Sequence, residues 1–348
     1  MKAAVLEAYR EPLVVREVPD PTPTPKGAVI RVEANGICRS DWHAWAGHWP
    51  GFVDLPHVLG HEMCGVVEEV GSAVEKHRPG ERVIVPFSGG DGSCRWCRAG
   101  LSNLCENPVM PGFRSWGGYA RYVAVDHADF NLVGLPEAVS FLAGAGMGCR
   151  FMTAFHGLTD RAAVKAGEWV AVHGCGGVGL SAIEIANALG AHVIGVDIAE
   201  DKLELARTLG AVEVVNAERS NDPAKAVRDI TGGGAHVSVD ALGIEATCRN
   251  AIKSLRRRGR HVQIGMTNGE DGGDLSVPVD LIVGKEIQLV GSKGMPPAHY
   301  GSMLRMVAAG KLDPGRLVSR TVRLEEAGGV LASMDSYDTL GFTVIDRY

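Results

Sequence analysis

Residues 169–179, Trp-Val-Ala-Val-His-Gly-Cys-Gly-Gly-Val-Gly, decide the fold of one part of this chain. The apolar run from Trp169 to His173 predicts a buried strand, and the glycines that follow form the pattern G-x-G-x-x-G at the start of a helix-forming segment. Such glycines permit a tight turn, a close approach of the backbone to a pyrophosphate, and close packing of helix on strand. Backbone N–H groups at the helix N-terminus then face the phosphates. We therefore predict a dinucleotide site at Gly174, Gly176, Gly177 and Gly179.

An acidic residue follows this motif at the spacing of a ribose ligand. Asp197 ends the next predicted strand, roughly twenty residues after the glycines, where a carboxylate accepts hydrogen bonds from ribose hydroxyls. Its charge would repel the 2′-phosphate of NADP, and Ile198 stands where an arginine would bind that phosphate. The sequence therefore favours NAD, with a helix N-cap as the alternative role of Asp197. Lys202 could flank the adenosine ribose, although a solvated surface lysine is equally consistent.

Strands and helices alternate regularly after the motif. Helices are expected at 178–189, 201–209 and after Glu245, and strands at 192–197, 212–215, 236–240 and 260–264. This β-α-β alternation requires a parallel sheet covered by helices. The run Arg256-Arg257-Arg258-Gly259-Arg260 is interpreted as a helix C-terminus, because cations oppose the helix dipole there and glycine ends helices.

The first 150 residues have a different texture. Short Val-rich runs at 28–32, 65–70, 82–85 and 119–125 are separated by glycine and proline, which predicts a β-rich domain. A helix at 300–309 and a last strand at 341–345 follow the alternating region. We therefore predict an α/β protein in which a doubly wound, parallel-sheet NAD domain at 151–289 interrupts a β-rich catalytic domain formed by residues 1–150 and 290–348.

Composition limits the classes of partner. Of the 348 residues, 45% are hydrophobic and 22% are charged, and the formal net charge is −6. A negative chain is a poor match for nucleic acids and membrane surfaces, because both attract cations. No apolar run is as long as a membrane span, and the charged N-terminal residues Glu7 and Arg10 exclude a signal peptide. We expect a cytoplasmic protein that acts on a small molecule.

The 8 cysteines favour metal binding over disulfides, because three of them lie between Cys94 and Cys105 in a long chain without a signal peptide. A second candidate metal-binding stretch is Gly60-His61-Glu62, which is followed by Gly65 and Gly71. Together with the segment Cys38-Arg39-Ser40-Asp41-Trp42-His43 and with Cys149, this stretch resembles the zinc-containing medium-chain alcohol dehydrogenases over essentially the whole chain.

The resemblance implies a GroES-like fold for the β-rich domain and a catalytic zinc held by Cys38, His61 and Cys149. Two thiolates and one imidazole agree with this independently, since a tetrahedral site with three protein ligands keeps an open position for water or alcohol. Zinc there lowers the pKa of a bound hydroxyl group, and the nicotinamide accepts the hydride. Taken singly, each of these residues would more often be an inert core residue, and the three together favour a metal site.

The same resemblance assigns roles to neighbouring residues. Ser40 would pass the alcohol proton through a cofactor ribose hydroxyl to His43, Asp41 would orient His61, and Glu62 would lie just outside the ligand shell. By position, Arg39 would contact the pyrophosphate, and Thr153 and Val178 the nicotinamide. An arginine that contacts the pyrophosphate in many relatives is replaced here by Phe342. The residues expected to line an apolar substrate cleft, with core packing as the alternative, are Trp49, Phe87 and Met110.

Cys94, Cys97 and Cys105 resemble the structural zinc lobe of the family, in which four cysteines hold the metal. Asp91 stands at the first position, and a carboxylate can ligate zinc, so we expect an Asp–Cys₃ site that binds more weakly than four thiolates. A lobe that has lost its metal is the alternative.

The sequence thus predicts a zinc- and NAD-dependent alcohol dehydrogenase that forms a homodimer or homotetramer. A polyol or sugar dehydrogenase is the alternative within the family, and Cys149 and the aromatic segment 42–52 speak against it. A non-catalytic NAD-binding protein, crystallin-like or redox-sensing, is the alternative outside enzymes, and it would not need Cys38, His61 or the relay.

Overall fold

The computed structural model describes residues 1–49, 51–267 and 273–348. They form two compact units, a first unit of Met1–Met152 with Gly294–Tyr348 and a second unit of Thr153–Lys293. The assignment of catalytic and NAD-binding domains to 1–150 with 290–348 and to 151–289 stays a prediction.

The strands of the two units are short, as expected for sheets built from Val-rich runs. They are β1 (Lys2–Leu6), β2 (Val14–Glu17), β3 (Ala28–Ile37), β4 (His57–Val58), β5 (Glu62–Val70), β6 (Arg82–Val85), β7 (Tyr122–Val125), β8 (Val133–Gly134), β9 (Trp169–His173), β10 (His192–Asp197), β11 (Ala211–Asn216), β12 (Ala235–Asp240), β13 (Leu255–Gln263), β14 (Gln288–Gly291), β15 (Val318–Arg323) and β16 (Phe342–Arg347).

The helices are mostly two to three turns long. They are α1 (Arg39–Trp45), α2 (Arg95–Arg98), α3 (Ala128–Asn131), α4 (Phe141–Gly146), α5 (Cys149–His156), α6 (Gly177–Ala188), α7 (Glu200–Thr208), α8 (Pro223–Ile230), α9 (Glu245–Lys253), α10 (Val279–Lys285), α11 (Tyr300–Ala308) and α12 (Ala327–Ser333), and a π-helical turn at Gly157–Arg161 extends α5. Among the described residues, none of these helices combines the length and the apolar character that a membrane crossing needs.

The second unit is a doubly wound parallel sheet. Its six strands are ordered β11-β10-β9-β12-β13-β14, and all their pairings are parallel. The strand order reverses between β9 and β12, and in such sheets ligands bind beyond the carboxyl ends of the strands at this point. Buried residues on one face of the sheet pack with residues of the covering helices into a core that includes Ala171, Ile194 and Ile252. The predicted fold class is confirmed, and β9 and β10 have the predicted bounds.

The first unit is β-rich, as predicted. One sheet runs β15-β16-β3-β5-β6-β8 with β7 paired to β3, and a second sheet runs β2-β1-β4. The long central strand β3 pairs antiparallel with β5, which brings the end of β3 beside the start of β5. Because Cys38 follows β3 directly and His61 precedes β5 directly, this pairing sets the position of both side chains.

The interpretation of the arginine run was wrong. Helix α9 ends at Lys253, and Arg256, Arg257, Arg258 and Arg260 lie in β13. The strand pairs with β12 at Leu255 and again from Arg260 onward, and with β14 from Arg260 onward, so sheet pairing before and after the run replaces the expected helix end. Exposed arginines before a glycine fit either structure locally, and pairing with distant strands decides between them.

Candidate active site

Asp41 accepts hydrogen bonds from several residues in and around the candidate metal cluster. Its carboxylate is fully buried and accepts hydrogen bonds from the Cys38 backbone N–H at 2.9 Å, the Gly60 N–H at 3.1 Å and the Tyr119 hydroxyl at 3.2 Å. The His61 Nδ1–H donates to the same carboxylate at 2.7 Å. This bond fixes the tautomer of the imidazole, so His61 Nε2 presents its lone pair on the other side of the ring.

The residues fit a zinc ion. The candidate ligand atoms of Cys38, His61, Glu62 and Cys149 all lie within 4.8 Å of one another. His61 Nε2 is buried and has no hydrogen-bond partner. Burying an unpaired nitrogen lone pair costs free energy, unless a metal ion binds it. Hydrogen bonding from the Cys149 thiol, together with His61, lowers the pKa of Cys38 well below its ordinary range, although burial opposes this. A buried set of two sulfurs and one imidazole is typical of zinc.

Replacing Asp41 by asparagine is expected to weaken zinc binding roughly 10- to 100-fold, the usual effect of losing a hydrogen-bond partner of a metal ligand. An amide has only one acceptor oxygen, so its NH₂ group would face at least one of the N–H and O–H donors that surround Asp41. Competition with a chromophoric chelator measures the affinity. Tyr119→Phe is the matched control, because it removes one bond to Asp41 without changing the carboxylate. Equal zinc affinity in Asp41→Asn and the parent would contradict this role.

Ser40 and His43 lie one helical turn apart on α1, so their side chains share one face. His43 is only 7% exposed, and burial, with Arg39 and His48, lowers its pKa to about 4, so it is neutral at pH 7. Its Nδ1 lies 3.0 Å from Nδ1 of His48, whose Nε2 lies 3.1 Å from the Arg10 guanidinium. Because arginine only donates, His48 Nε2 accepts and its Nδ1–H donates to His43.

His48 is a site residue that sequence reasoning missed. No motif includes it, and its spacing from His43 carries no periodic signal on a helix that ends at Trp45. It is half-buried, whereas His43 is buried, so it lies between His43 and the surface of the first unit.

Aromatic rings surround His61 and His43. The Phe113 ring lies 4.5 Å and the Phe87 ring 5.5 Å from the His61 imidazole, and Trp49 stacks on His43 with ring centroids 4.9 Å apart. Of the predicted pocket residues, Phe87 thus lies beside the His61 ring of the cluster, and Trp49 lies beside His43. Met110 is buried, and its carbonyl accepts the Phe113 N–H at 3.1 Å. Phe113 itself was not predicted, since it follows no motif and only chain folding brings it to His61.

Arg39 is held within the first unit by stacking. Its guanidinium carbon lies 3.7 Å from the Trp42 ring centroid and 3.9 Å from that of Tyr337, and Nη1 donates to the Met334 carbonyl. Its Nη2 is buried without a hydrogen-bond partner, so a donor remains for an anion. Phe342 is buried and lies under the Arg150 guanidinium at 3.7 Å, a contact that only the tertiary structure reveals.

The glycine turn of the second unit has the features that a dinucleotide needs. Gly176 precedes helix α6 without any side-chain cap, so the first N–H groups of α6 are available to phosphates. A Cβ on Gly179 would come within 1.8 Å of the Gly174 carbonyl oxygen, so only glycine permits this packing. A Cβ on Gly176 would meet no protein atom within 4 Å, which leaves open space beside the backbone. Gly177 and Val178 form the first turn of α6.

Asp197 lies at the carboxyl end of β10 beside this turn. Oδ2 accepts the Cys175 N–H at 2.6 Å, and Oδ1 accepts the Ile198 and Ala199 N–H groups at 2.8 and 3.0 Å. The half-buried carboxylate thus also stabilises the turn. Lys202 lies in the first turn of α7. Thr153 is buried, and its carbonyl accepts a hydrogen bond from Ser292 at 3.0 Å.

The candidate ligands of the second metal site also converge. The ligand atoms of Asp91, Cys94, Cys97 and Cys105 lie within 4.8 Å of one another. Cys105 Sγ accepts the N–H groups of Asp91 and Asn107 at 3.4 and 3.3 Å, and these bonds oppose the burial that raises the pKa of the Cys105 thiol. Backbone N–H groups lower the pKa of Cys94 to about 7, and hydrogen bonds, led by that of Asn107, lower the pKa of Asp91. This donor set fits zinc, with a carboxylate as the fourth ligand.

Asp91→Ala is expected to release the metal of this lobe first when a chelator is titrated, whereas Asp91→Cys should hold it more tightly than the parent. The reason is that alanine removes a ligand, and cysteine replaces a hard oxygen with a soft thiolate. Zinc content against chelator concentration is the measurement, and Asp126→Ala, an exposed aspartate of the same unit, serves as control. Identical zinc retention in Asp91→Ala and the parent would exclude Asp91 as a ligand.

Comparison with known proteins agrees with this architecture. Residues 24–137 match the family model of the alcohol dehydrogenase GroES-like domain, and residues 177–309 match that of the zinc-binding dehydrogenases. An alcohol dehydrogenase of Geobacillus stearothermophilus is 36% identical over 90% of both chains, and an NAD-dependent alcohol dehydrogenase of Sulfurisphaera tokodaii is 32% identical over 99% of both. The solved structure of alcohol dehydrogenase TADH from Thermus sp. ATN1 superposes with a TM-score of 0.91, at 32% identity and full coverage of both chains. By fold, domain content and sequence, the chain belongs to the zinc-containing medium-chain alcohol dehydrogenase family.

Proposed function

We propose that this protein catalyses the reversible NAD-dependent oxidation of primary or secondary alcohols to aldehydes or ketones, at a zinc ion held by Cys38, His61 and Cys149. The observation that carries the proposal is the buried Nε2 atom of His61, which has no hydrogen-bond partner, in a cluster whose histidine and cysteine ligand atoms lie within 4.8 Å of one another. The relatives named above are alcohol dehydrogenases, and that of Sulfurisphaera tokodaii is NAD-dependent by name, which supports the same reaction.

When bound, zinc would lower the pKa of the alcohol hydroxyl and NAD would accept the hydride. The chain supplies the rest. Asp41 keeps the His61 lone pair directed into the cluster. In carbonyl reduction, His48 takes up a proton from solvent at Nε2 and gives its Nδ1 proton to His43 Nδ1, while the Nε2 proton of His43 moves on towards Ser40 and the product hydroxyl. Alcohol oxidation uses the same path in reverse. This order follows burial, because His43 is enclosed and His48 is half-exposed.

His48→Leu tests the last part of this path. Proton release should then slow alcohol oxidation by about tenfold or more, at the low end of what positioned proton-transfer groups contribute. The solvent isotope effect on kcat should rise, and the isotope effect of deuterated alcohol should fall, because proton release replaces hydride transfer as the slow step. Arg10→Gln is the control, since it removes the neighbour of His48 and keeps the imidazole. Unchanged isotope effects in His48→Leu would mean that protons leave His43 by another route.

For the cofactor, we propose that Gly174, Gly176, Gly177 and Gly179 bind the pyrophosphate and that Asp197 binds the adenosine ribose. Arg39, Thr153, Val178 and Lys202 complete this set, with the Arg39 Nη2 donor as support for its role. Asp91, Cys94, Cys97 and Cys105 are proposed to hold a structural zinc that stabilises the loop without taking part in the chemistry.

Apolar alcohols are the proposed substrate class, because the rings of Phe87 and Phe113 lie beside His61 and that of Trp49 stacks on His43. NADH formation should be measured with aliphatic, aromatic and polyol alcohols, before and after chelation of zinc. Chelator-sensitive turnover of apolar alcohols supports the proposal. Turnover of polyols alone would replace the substrate class, and NAD binding without any turnover would indicate a non-catalytic protein.

We also propose a homodimer or homotetramer. Strand β14 is at the edge of its sheet, and Leu289 on it and Val279 and Val283 on the neighbouring α10 are exposed by 45%, 60% and 72%. An apolar, unpaired edge is a ready template for a second copy. Sedimentation of the purified chain and of Val283→Glu would test it, since a charge at the interface should dissociate the assembly. None of the eight cysteines, all among the described residues, forms a disulfide, which suits a reducing compartment and supports a cytoplasmic location that cell fractionation can check.

A further inference from the structure

Glu62 is a fourth potential ligand of the zinc cluster. Its carboxylate belongs to the same group as Cys38, His61 and Cys149, with all ligand atoms within 4.8 Å of one another. A zinc ion with four protein ligands is closed and serves structure, whereas a catalytic zinc needs one position for its substrate. The cluster therefore has the composition of either kind of site, and the position of one carboxylate decides between them.

Arg150 engages both oxygens of that carboxylate. Its Nε donates to Oε1 at 3.0 Å, its Nη2 donates to Oε2, and its backbone N–H donates to Oε1 at 3.1 Å. The side chains are 7% and 1% exposed, so water does not compete for these bonds. A two-pronged guanidinium–carboxylate pair is the strongest and most directional hydrogen-bonded ion pair that side chains form.

Further contacts within the first unit hold this ion pair in place. Arg150 directly follows the candidate ligand Cys149 on α5, and its guanidinium lies 3.7 Å above the Phe342 ring centroid. Backbone closes the other side, because a Cβ on Gly36 would come within 2.2 Å of Glu62 Oε2 and 3.0 Å of Arg150 Nη2. Neither side chain can turn without breaking these contacts.

We propose that Arg150 is a positioning residue that holds Glu62 away from the zinc and so keeps the fourth coordination position open to the alcohol. The inference rests on the proposed function, since it requires the zinc at Cys38, His61 and Cys149. It gives the buried ion pair a role other than stability, which is in keeping with the small net stabilisation that buried pairs provide.

The test uses the full-length protein with cobalt(II) in place of zinc and imidazole as the probe of the open position. The change in visible absorption of cobalt gives the imidazole Kd. In Arg150→Met and Arg150→Lys the released carboxylate should occupy the metal and raise this Kd by about tenfold or more, because a tethered ligand competes at a high effective concentration. Adding Glu62→Gln to either variant should return the Kd to within about threefold of the parent, because an amide is a poor ligand for the ion.

An unchanged Kd in both Arg150 variants would overturn the proposal. So would a weakening that Glu62→Gln does not reverse, because that result assigns Arg150 a structural role only. If the Arg150 variants do not fold, Glu62→Gln alone decides. Its Kd should match that of the parent, and a Kd about tenfold tighter would mean that Glu62 already binds the metal. An imidazole response that persists in Cys38→Ser would instead refute the proposed zinc site itself.

Discussion

Cys38→Ser is expected to remove the zinc of the catalytic cluster and to lower kcat/KM for alcohol oxidation by about a thousandfold or more. A metal ion contributes several kcal/mol of transition-state stabilisation, and 1.4 kcal/mol corresponds to about tenfold in rate. Serine stays protonated at neutral pH, so it cannot replace a thiolate within ligand distance of Cys149 and His61.

Metal analysis and NADH formation measure the two effects in the same preparations. NAD binding, followed by cofactor fluorescence, should stay nearly intact, because the glycine turn and Asp197 belong to the second unit. Cys64→Ser is the matched control, since Cys64 is a fully buried thiol of the same unit outside the cluster, hydrogen-bonded to the Phe141 carbonyl. Full zinc content and turnover in Cys38→Ser would refute the ligand assignment, and a parallel loss of NAD binding would refute the independence of the two sites.

Asp197→Ala is expected to lower kcat/KM with NAD by about a hundredfold and to raise the ratio of NADP to NAD use by more. Hydrogen bonds to a charged group contribute about 1.5–3 kcal/mol, and the carboxylate is expected to bind the ribose of NAD. Removing its charge also removes the repulsion of a 2′-phosphate, so NADP should lose less than NAD or gain.

Asp197 has a second role in the structure, so the test compares the kcat/KM values of the two cofactors. Asp197 also accepts three backbone N–H groups of the surrounding turn, so alanine weakens the turn for both cofactors. The ratio of the two kcat/KM values cancels this common loss. Asp197→Asn keeps an acceptor for the turn and should shift the ratio in the same direction, and Asp201→Ala on α7 is the control. An unchanged ratio in both Asp197 variants would show that the ribose carboxylate lies elsewhere.

The elements of the second unit could be predicted because their signals are local. Alternating apolar and amphipathic segments, with glycines at the first turn, specify a parallel sheet whatever the remainder of the chain does, and β9 and β10 have the bounds expected from the sequence. The arginine run in β13 was misread because exposed cations before a glycine suit a helix end or an outer strand equally. Pairing with β12 and β14, which lie elsewhere in the sequence, decided the outcome.

The candidate site also has residues that the sequence could identify and residues that only the tertiary structure reveals. Short motifs that resemble a known family were enough to propose Cys38, His61 and Cys149 as ligands, and the chemistry of two thiolates and one imidazole agrees with zinc. His48, Phe113 and Arg150 carry no spacing signal, and each acts through a contact with a residue that the chain brings near only on folding. The sequence by itself thus determined the order of elements and the chemistry of the donors. Tertiary structure alone decided their surroundings, because burial, ring contacts and the Arg150–Glu62 pair depend on distances that no local pattern encodes.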